Sequence, residues 1–118
     1  MSIRPLFAAM AVLALAGCAT DPAPVEQMRL TEQAIIQAKA VGATADEVPE
    51  MKLAETKYNR AKGNMADESY RNARMRSEQA ELDARLAEAK VLTQKSEEQL
   101  NVLNTRIVRL RKQLGDAQ

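Results

Sequence analysis

A stretch of about fifty residues, Met65 to Leu114, contains neither glycine nor proline. Proline breaks a helix interior by removing an N–H and clashing with the preceding turn, and glycine weakens it. The absence of both over such a length predicts one continuous helix, roughly 70 Å long at 1.5 Å per residue. A helix of that length belongs to a coiled coil, a helical repeat or a membrane span. Interleaved charges rule out the span. Glu78, Glu81, Asp83, Glu88, Glu97 and Glu98 alternate with Arg74, Arg76, Arg85, Lys90 and Lys95, and on a helix they read as solvated pairs three or four residues apart.

Two seams run along this helix. The first is Tyr70, Ala73, Ser77, Ala80, Ala84, Ala87 and Val91, in alternating steps of three and four. Its small residues permit close helix approach, which predicts packing against the rest of the chain. The second is Leu82, Leu86, Ala89, Thr93, Ser96, Leu100, Leu103, Ile107, Leu110 and Leu114. From Leu100 onward every position is a large aliphatic, a heptad pattern about two repeats long. A single helix has no means of burying such a seam, so a partner helix is expected, from another copy or from another protein.

Upstream, Met28, Ile35, Ala38 and Val41 lie at helical spacing with Thr31 and Ala34 beside them. They predict a first helix from Pro24 to Val41, stopped by Gly42. A second helix is expected from Asp46–Pro49 to Lys62, with Asp46 as its N-cap. Its buried stripe is Met51, Ala54, Tyr58 and Ala61. Gly63 is read as its stop and Asn64 as the cap of the third helix, with Tyr58 and Tyr70 packing across the turn. So short a link makes the two helices antiparallel neighbours. The only aromatic residues are Phe7, Tyr58 and Tyr70, so the core is thin. The expected class is all-α: two short antiparallel helices packed on the N-terminal half of a long third helix whose C-terminal half is coiled-coil-like.

The N-terminus has a different character. Arg4 precedes an uncharged run from Pro5 to Leu15, followed by Ala16-Gly17-Cys18. This has the layout of a secretory signal and is too short to span a bilayer by itself. Leu15-Ala16-Gly17-Cys18 resembles the lipobox of bacterial lipoproteins. That resemblance implies cleavage between Gly17 and Cys18 and acylation of the Cys18 sulfur, whose thiolate is the nucleophile. Several acyl chains together hold a protein on a membrane far more firmly than one. Ala19 follows the cysteine, and by resemblance to the enteric sorting rule a residue other than Asp there directs the protein to the periplasmic face of the outer membrane rather than the inner membrane. The expected divisions are a signal at 1–17, the lipidated cysteine and tether at 18–24, a three-helix alanine-rich domain at 25–92 and a helical rod at 93–118.

Catalytic chemistry finds few candidates. The chain has no histidine, which removes the commonest general base and metal ligand, and Cys18 is its only cysteine. We therefore expect neither an enzyme nor a cofactor or metal site. Arg106, Arg109, Arg111 and Lys112 form a basic patch near the C-terminus. Cations there interact favourably with the negative end of the helix dipole. The same four are candidates for contact with an anionic ligand such as peptidoglycan carboxylates or lipid phosphates. Nucleic acid is not expected as a partner: without Arg4, sixteen basic residues face sixteen acidic ones.

The segments Ala34-Ile35-Ile36-Gln37-Ala38-Lys39-Ala40-Val41-Gly42-Ala43 and Leu53-Ala54-Glu55-Thr56-Lys57-Tyr58-Asn59-Arg60-Ala61-Lys62-Gly63 are similar to a helical domain of Gram-negative envelope lipoproteins, domain of unknown function 4398. Tyr70-Arg71-Asn72-Ala73 and Ala80-Glu81-Leu82-Asp83-Ala84-Arg85-Leu86-Ala87 extend the similarity, which covers residues 28–92. Val48-Pro49 stands where the pattern usually has Ala-Pro. The resemblance implies an envelope lipoprotein, of a kind sometimes joined to an OmpA-like peptidoglycan-binding domain. A weaker resemblance is to murein lipoprotein, a lipid anchor followed by a heptad helix. That protein ends in a lysine joined to peptidoglycan, whereas this chain ends Gly115-Asp116-Ala117-Gln118, so no covalent link is expected. The expected role is a non-enzymatic scaffold or adaptor, self-associating or docking another helical envelope protein through Leu100, Leu103, Ile107, Leu110 and Leu114.

Overall fold

The computed structural model describes residues 21–117. The signal segment, the Gly17–Cys18 cleavage site and the lipidated position lie outside the described residues. Three helices follow one another: α1, Val25–Ala40; α2, Pro49–Ala66; and α3, Tyr70–Asp116. The described residues form no strand, and the fold is all-α as expected.

The spine is α3, with α1 and α2 lying along it and touching each other far less than either touches α3. The side-chain pairs give the directions. Glu50 meets Lys90 and Lys57 meets Asp83, so α2 runs antiparallel to α3. Thr31 meets Ser77, whereas the Val41 carbonyl at the end of α1 meets Lys95, so α1 runs parallel to it. Ala73, Ser77, Ala80, Ala84 and Ala87, all of the first seam, are fully buried. Opposite them are Thr31, Ala34, Ile35 and Ala38 of α1, and Met51, Ala54 and Ala61 of α2. The expected stripe of α2 is as read, with Tyr58 half-buried at the rim. Met28 of α1 and Val41, its C-cap, are only half-buried. The three helices meet where Ile35, Ala38, Met51, Ala84 and Ala87 form one cluster, with Val48 and Val91 against it. Alanine opposite alanine brings backbones close, and dispersion over many short contacts replaces the bulk of a leucine core.

The stop of α1 is the one the sequence announced. Gly42 has a φ of 97°, and its N–H reaches the Lys39 carbonyl at 2.9 Å. The Ala43 N–H reaches back to Ala38 at 2.9 Å. This is the paired pattern of a Schellman ending, and Ala43 is fully buried beside Ala38. The start of α2 departs from expectation. Val48, not Asp46, occupies its N-cap and Pro49 its first turn. No side-chain cap is made there. Fixing φ for the helix and lacking a donor, Pro49 starts the helix without one.

The second stop is a correction. Gly63 lies inside α2, with open space around its Cα, and the helix runs one turn further to Ala66. The ending repeats the Schellman pattern at Glu68: Glu68 N–H to the Met65 carbonyl at 3.2 Å, and Ser69 N–H to the Asn64 carbonyl at 2.8 Å. Glu68 carries the left-handed φ of 55° that glycine would adopt more cheaply. Asn64 therefore caps nothing, and α3 begins at Tyr70 rather than Met65. Placing Ala61 and Ala73 in the buried interface requires the longer α2, and this packing overrides the local preference of Gly63.

Candidate interaction surface on the long helix

Successive residues on an α-helix turn by about 100°, so residues two apart face nearly opposite ways. Leu82 and Leu86 each stand two residues from Ala84 and so project from the side of α3 away from α1 and α2. Leu82 is 67% exposed. The second seam continues along that side to Leu114, which is 70% exposed. Leu100, Leu103, Ile107 and Leu110 are likewise exposed. Val91 is the last residue of α3 to pack on the core, and every described residue from Leu92 onward is exposed. Beyond Lys95, α3 is a bare helix roughly 30 Å long.

The same rotation splits the basic patch. Arg106 and Arg111 lie on the two edges of the leucine seam, the g and e positions of its heptads. Arg109 and Lys112 fall on the far side. Closeness in the chain groups the four cations; the helix distributes them around its circumference. All four are exposed, and no carboxylate lies between Glu98 and Asp116.

Polar contacts invisible in the sequence tie α1 to α3. The Thr31 and Ser77 hydroxyls lie 2.7 Å apart, both fully buried. The Thr31 hydroxyl also lies within hydrogen-bonding range of the Gln27 and Ser77 carbonyls. The Gln27 side-chain amide donates to Glu81 at 2.7 Å, and Arg85 donates to the same carboxylate. These bonds, first Gln27's and then Arg85's, hold the Glu81 carboxyl below its ordinary pKa range. Lys90 likewise lowers Glu50 through its hydrogen bond. Lys95 donates to the Val41 carbonyl at 2.7 Å, a cation on the negative end of α1. The Lys62 ammonium sits 5.1 Å from the centre of the Tyr58 ring. Burial, then the negative charge of Glu32, raises the Tyr58 hydroxyl. Tyr58 and Tyr70 do not bracket a turn at Gly63: Tyr58 lies on the rim of the core and Tyr70 opens α3.

Among the described residues, no group of acidic side chains is placed to hold a metal ion, and no helix is long and apolar enough to cross a membrane.

This geometry defines a helical spine protein: a short alanine-packed sheath on one face and an uncovered aliphatic seam on the other. The chain belongs to the DUF4398 family, a domain of unknown function, whose profile matches residues 26–103. A solved relative is the DUF4398 family protein from Pseudomonas aeruginosa PAO1. It is 65% identical, the match covers 82% of this chain and 100% of that one, and the TM-score is 0.79. No curated protein gives a match.

Proposed function

We propose that the chain is a non-enzymatic, lipid-anchored envelope protein facing the periplasm, acting as a scaffold or adaptor through the free end of α3. The observation that carries this reading is the seam from Leu82 to Leu114, left open on the face of α3 away from its own helices. A soluble helix gains nothing by exposing a leucine row in register unless a second surface covers it. The lipobox-like Leu15-Ala16-Gly17-Cys18 supplies the anchor. An acyl-chain anchor on Cys18 and a docking helix beyond residue 95 separate location from recognition within one chain.

Two measurements test the reading. Metabolic labelling with a fatty acid should mark the wild-type chain and not Cys18→Ser, and membrane fractionation should place the wild type with the outer membrane. Ile107→Asp should abolish capture of any helical partner while leaving labelling and helicity intact. An unlabelled wild-type chain removes the anchor; undiminished capture by Ile107→Asp removes the seam.

A second reading rests on the acid-free run that holds Arg106, Arg109, Arg111 and Lys112: binding of peptidoglycan or another anionic ligand. It predicts co-sedimentation with purified peptidoglycan that weakens with salt and is lost when the three arginines become glutamine.

A further inference from the structure

We infer that the occupant of the seam from Leu100 to Leu114 is a second copy of this chain, laid antiparallel and centred near Thr105. This rests on the docking role proposed for the rod and adds the partner's identity and direction.

The heptad places Leu100, Ile107 and Leu114 at a and Leu103 and Leu110 at d. An antiparallel pair centred at Thr105 sets Leu100 against Leu110 of the second copy and Leu103 against Ile107 of the second copy. Symmetry repeats both contacts, so four successive layers are wholly aliphatic. The ends are Leu114 against Ser96. Sliding the copies one heptad toward their bases sets Ile107 against Ser96 and Leu110 against Thr93; sliding them toward their tips keeps four aliphatic layers but sets Leu100 against Ala117 and parts Glu97 from Arg111, so this register alone joins the aliphatic layers to opposite charges.

A parallel, in-register pair also stacks the leucines. Charge separates the two arrangements. In the parallel pair Arg106 at g faces Arg111 at e of the second copy, twice, and no opposite charges meet at the edges of the rod. In the antiparallel pair the e positions face each other, so Glu97 meets Arg111 of the second copy, twice. The one like-charge contact is Arg106 with its own counterpart at the centre. Beyond the edges, Glu97 and Glu98 lie beside the partner's run from Arg106 to Lys112, which carries no acid. The rod is thus acidic at its base and basic at its tip, a pattern complementary to itself only when reversed. All of these side chains are exposed, so none must break a buried contact to pair. The α1 and α2 sheath ends on α3 at Lys95 and does not obstruct the approach. The N-terminus of α1 lies beside Arg74 and Glu78, so the first turns of the two α1 helices lie about 90 Å apart, at opposite ends of the pair.

A photo-crosslinking amino acid in place of Gln113 of the full chain, activated in cells, reads the direction. An adduct of two copies joined near Gln99 is the expected result. Capture near residues 111–118 of the second copy means a parallel pair and overturns the inference. An adduct with a different protein alone overturns this occupant and leaves the docking rod standing, whereas no adduct at all removes both. Charge reversal gives an independent sign. In the purified full chain in detergent micelles, Arg111→Glu should weaken dimerisation by on the order of tenfold, since two surface pairs are lost to repulsion. Adding Glu97→Lys should restore it. A parallel pair predicts the opposite, because Arg111→Glu then faces Arg106; strengthened or unchanged dimerisation overturns the antiparallel assignment.

Discussion

The two long faces of α3 share a backbone and a periodicity but use opposite side chains. One carries Ala73, Ala80, Ala84 and Ala87 and is fully buried; the other carries Leu82, Leu86, Leu100 and Leu103 and is exposed. Taken alone, hydrophobicity would assign the leucines to the core. What decides is which surface has a partner in the same chain. Small residues allow α1 and α2 to approach α3 closely, and the short helices that supply the partners end at Lys95. Leucines project too far for that spacing, and they continue for a further 30 Å, roughly, where no other described residue covers them.

The sharpest way to break this comparison is to make the same change on both faces. Ala84→Leu on the covered face should destabilise by about 3 kcal/mol, because the added methylenes have nowhere to go between close-packed backbones. Ala89→Leu on the open face should change stability by less than about 0.5 kcal/mol. Urea unfolding followed by circular dichroism distinguishes them, and equal effects would mean that the two faces are not different environments. The buried hydroxyl pair tests the polar part of the covered face. Thr31→Val leaves Ser77 without its best partner and should cost about 1–2 kcal/mol. Adding Ser77→Ala should recover much of that loss, since removing both partners is cheaper than removing one.

The hairpin between α2 and α3 yields a gain in stability. Glu68→Gly relieves the left-handed residue and should stabilise by about 1 kcal/mol. Gly63→Ala, inside α2 with open space around it, should stabilise by about 0.5–1 kcal/mol. Both are read from the shift in thermal midpoint; destabilisation by Gly63→Ala would restore Gly63 as the helix stop. The smallest effect is acid-dependent. Glu81 has a folded pKa below the ordinary value of 4.5, so its contribution is complete above that value and disappears as the pH falls through the lower folded one. Stability measured from pH 6 downward should therefore fall, and Glu81→Gln should make the fall shallower. For a single carboxylate at the edge of the core, whose Arg85 partner is largely exposed, the difference should stay under about 1 kcal/mol.

The α3 seams were legible because step lengths of three and four survive in the sequence whatever the tertiary structure does. Every buried position of α3 was among those named from spacing. Gly42 was legible as well, since a glycine directly after the last apolar residue of a helix has one common use. Gly63 was not. The same residue type sits in open space inside α2, and the ending is made by Glu68, a residue with no local preference for that conformation. Nor were the cross-helix contacts of Gln27 with Glu81 and Lys95 with Val41, whose partners lie more than fifty residues apart. The basic patch was legible as charge but not as geometry: adjacency in the chain does not place Arg106 and Lys112 on one face.

An all-helical chain and the division of α3 into a small-residue seam and a leucine seam could be read from the residues alone, because these depend only on local backbone preference and on the 3.6-residue period; the length of α3 could not, since the glycine- and proline-free run from Met65 to Leu114 contains the turn at Asp67–Ser69. Only the tertiary structure decided which seam is covered, and how far. It also decided where the hairpin turns, since a turn at Asp67–Ser69 rather than at Gly63 costs strain locally and is held by the alanine contacts of α2 with α3.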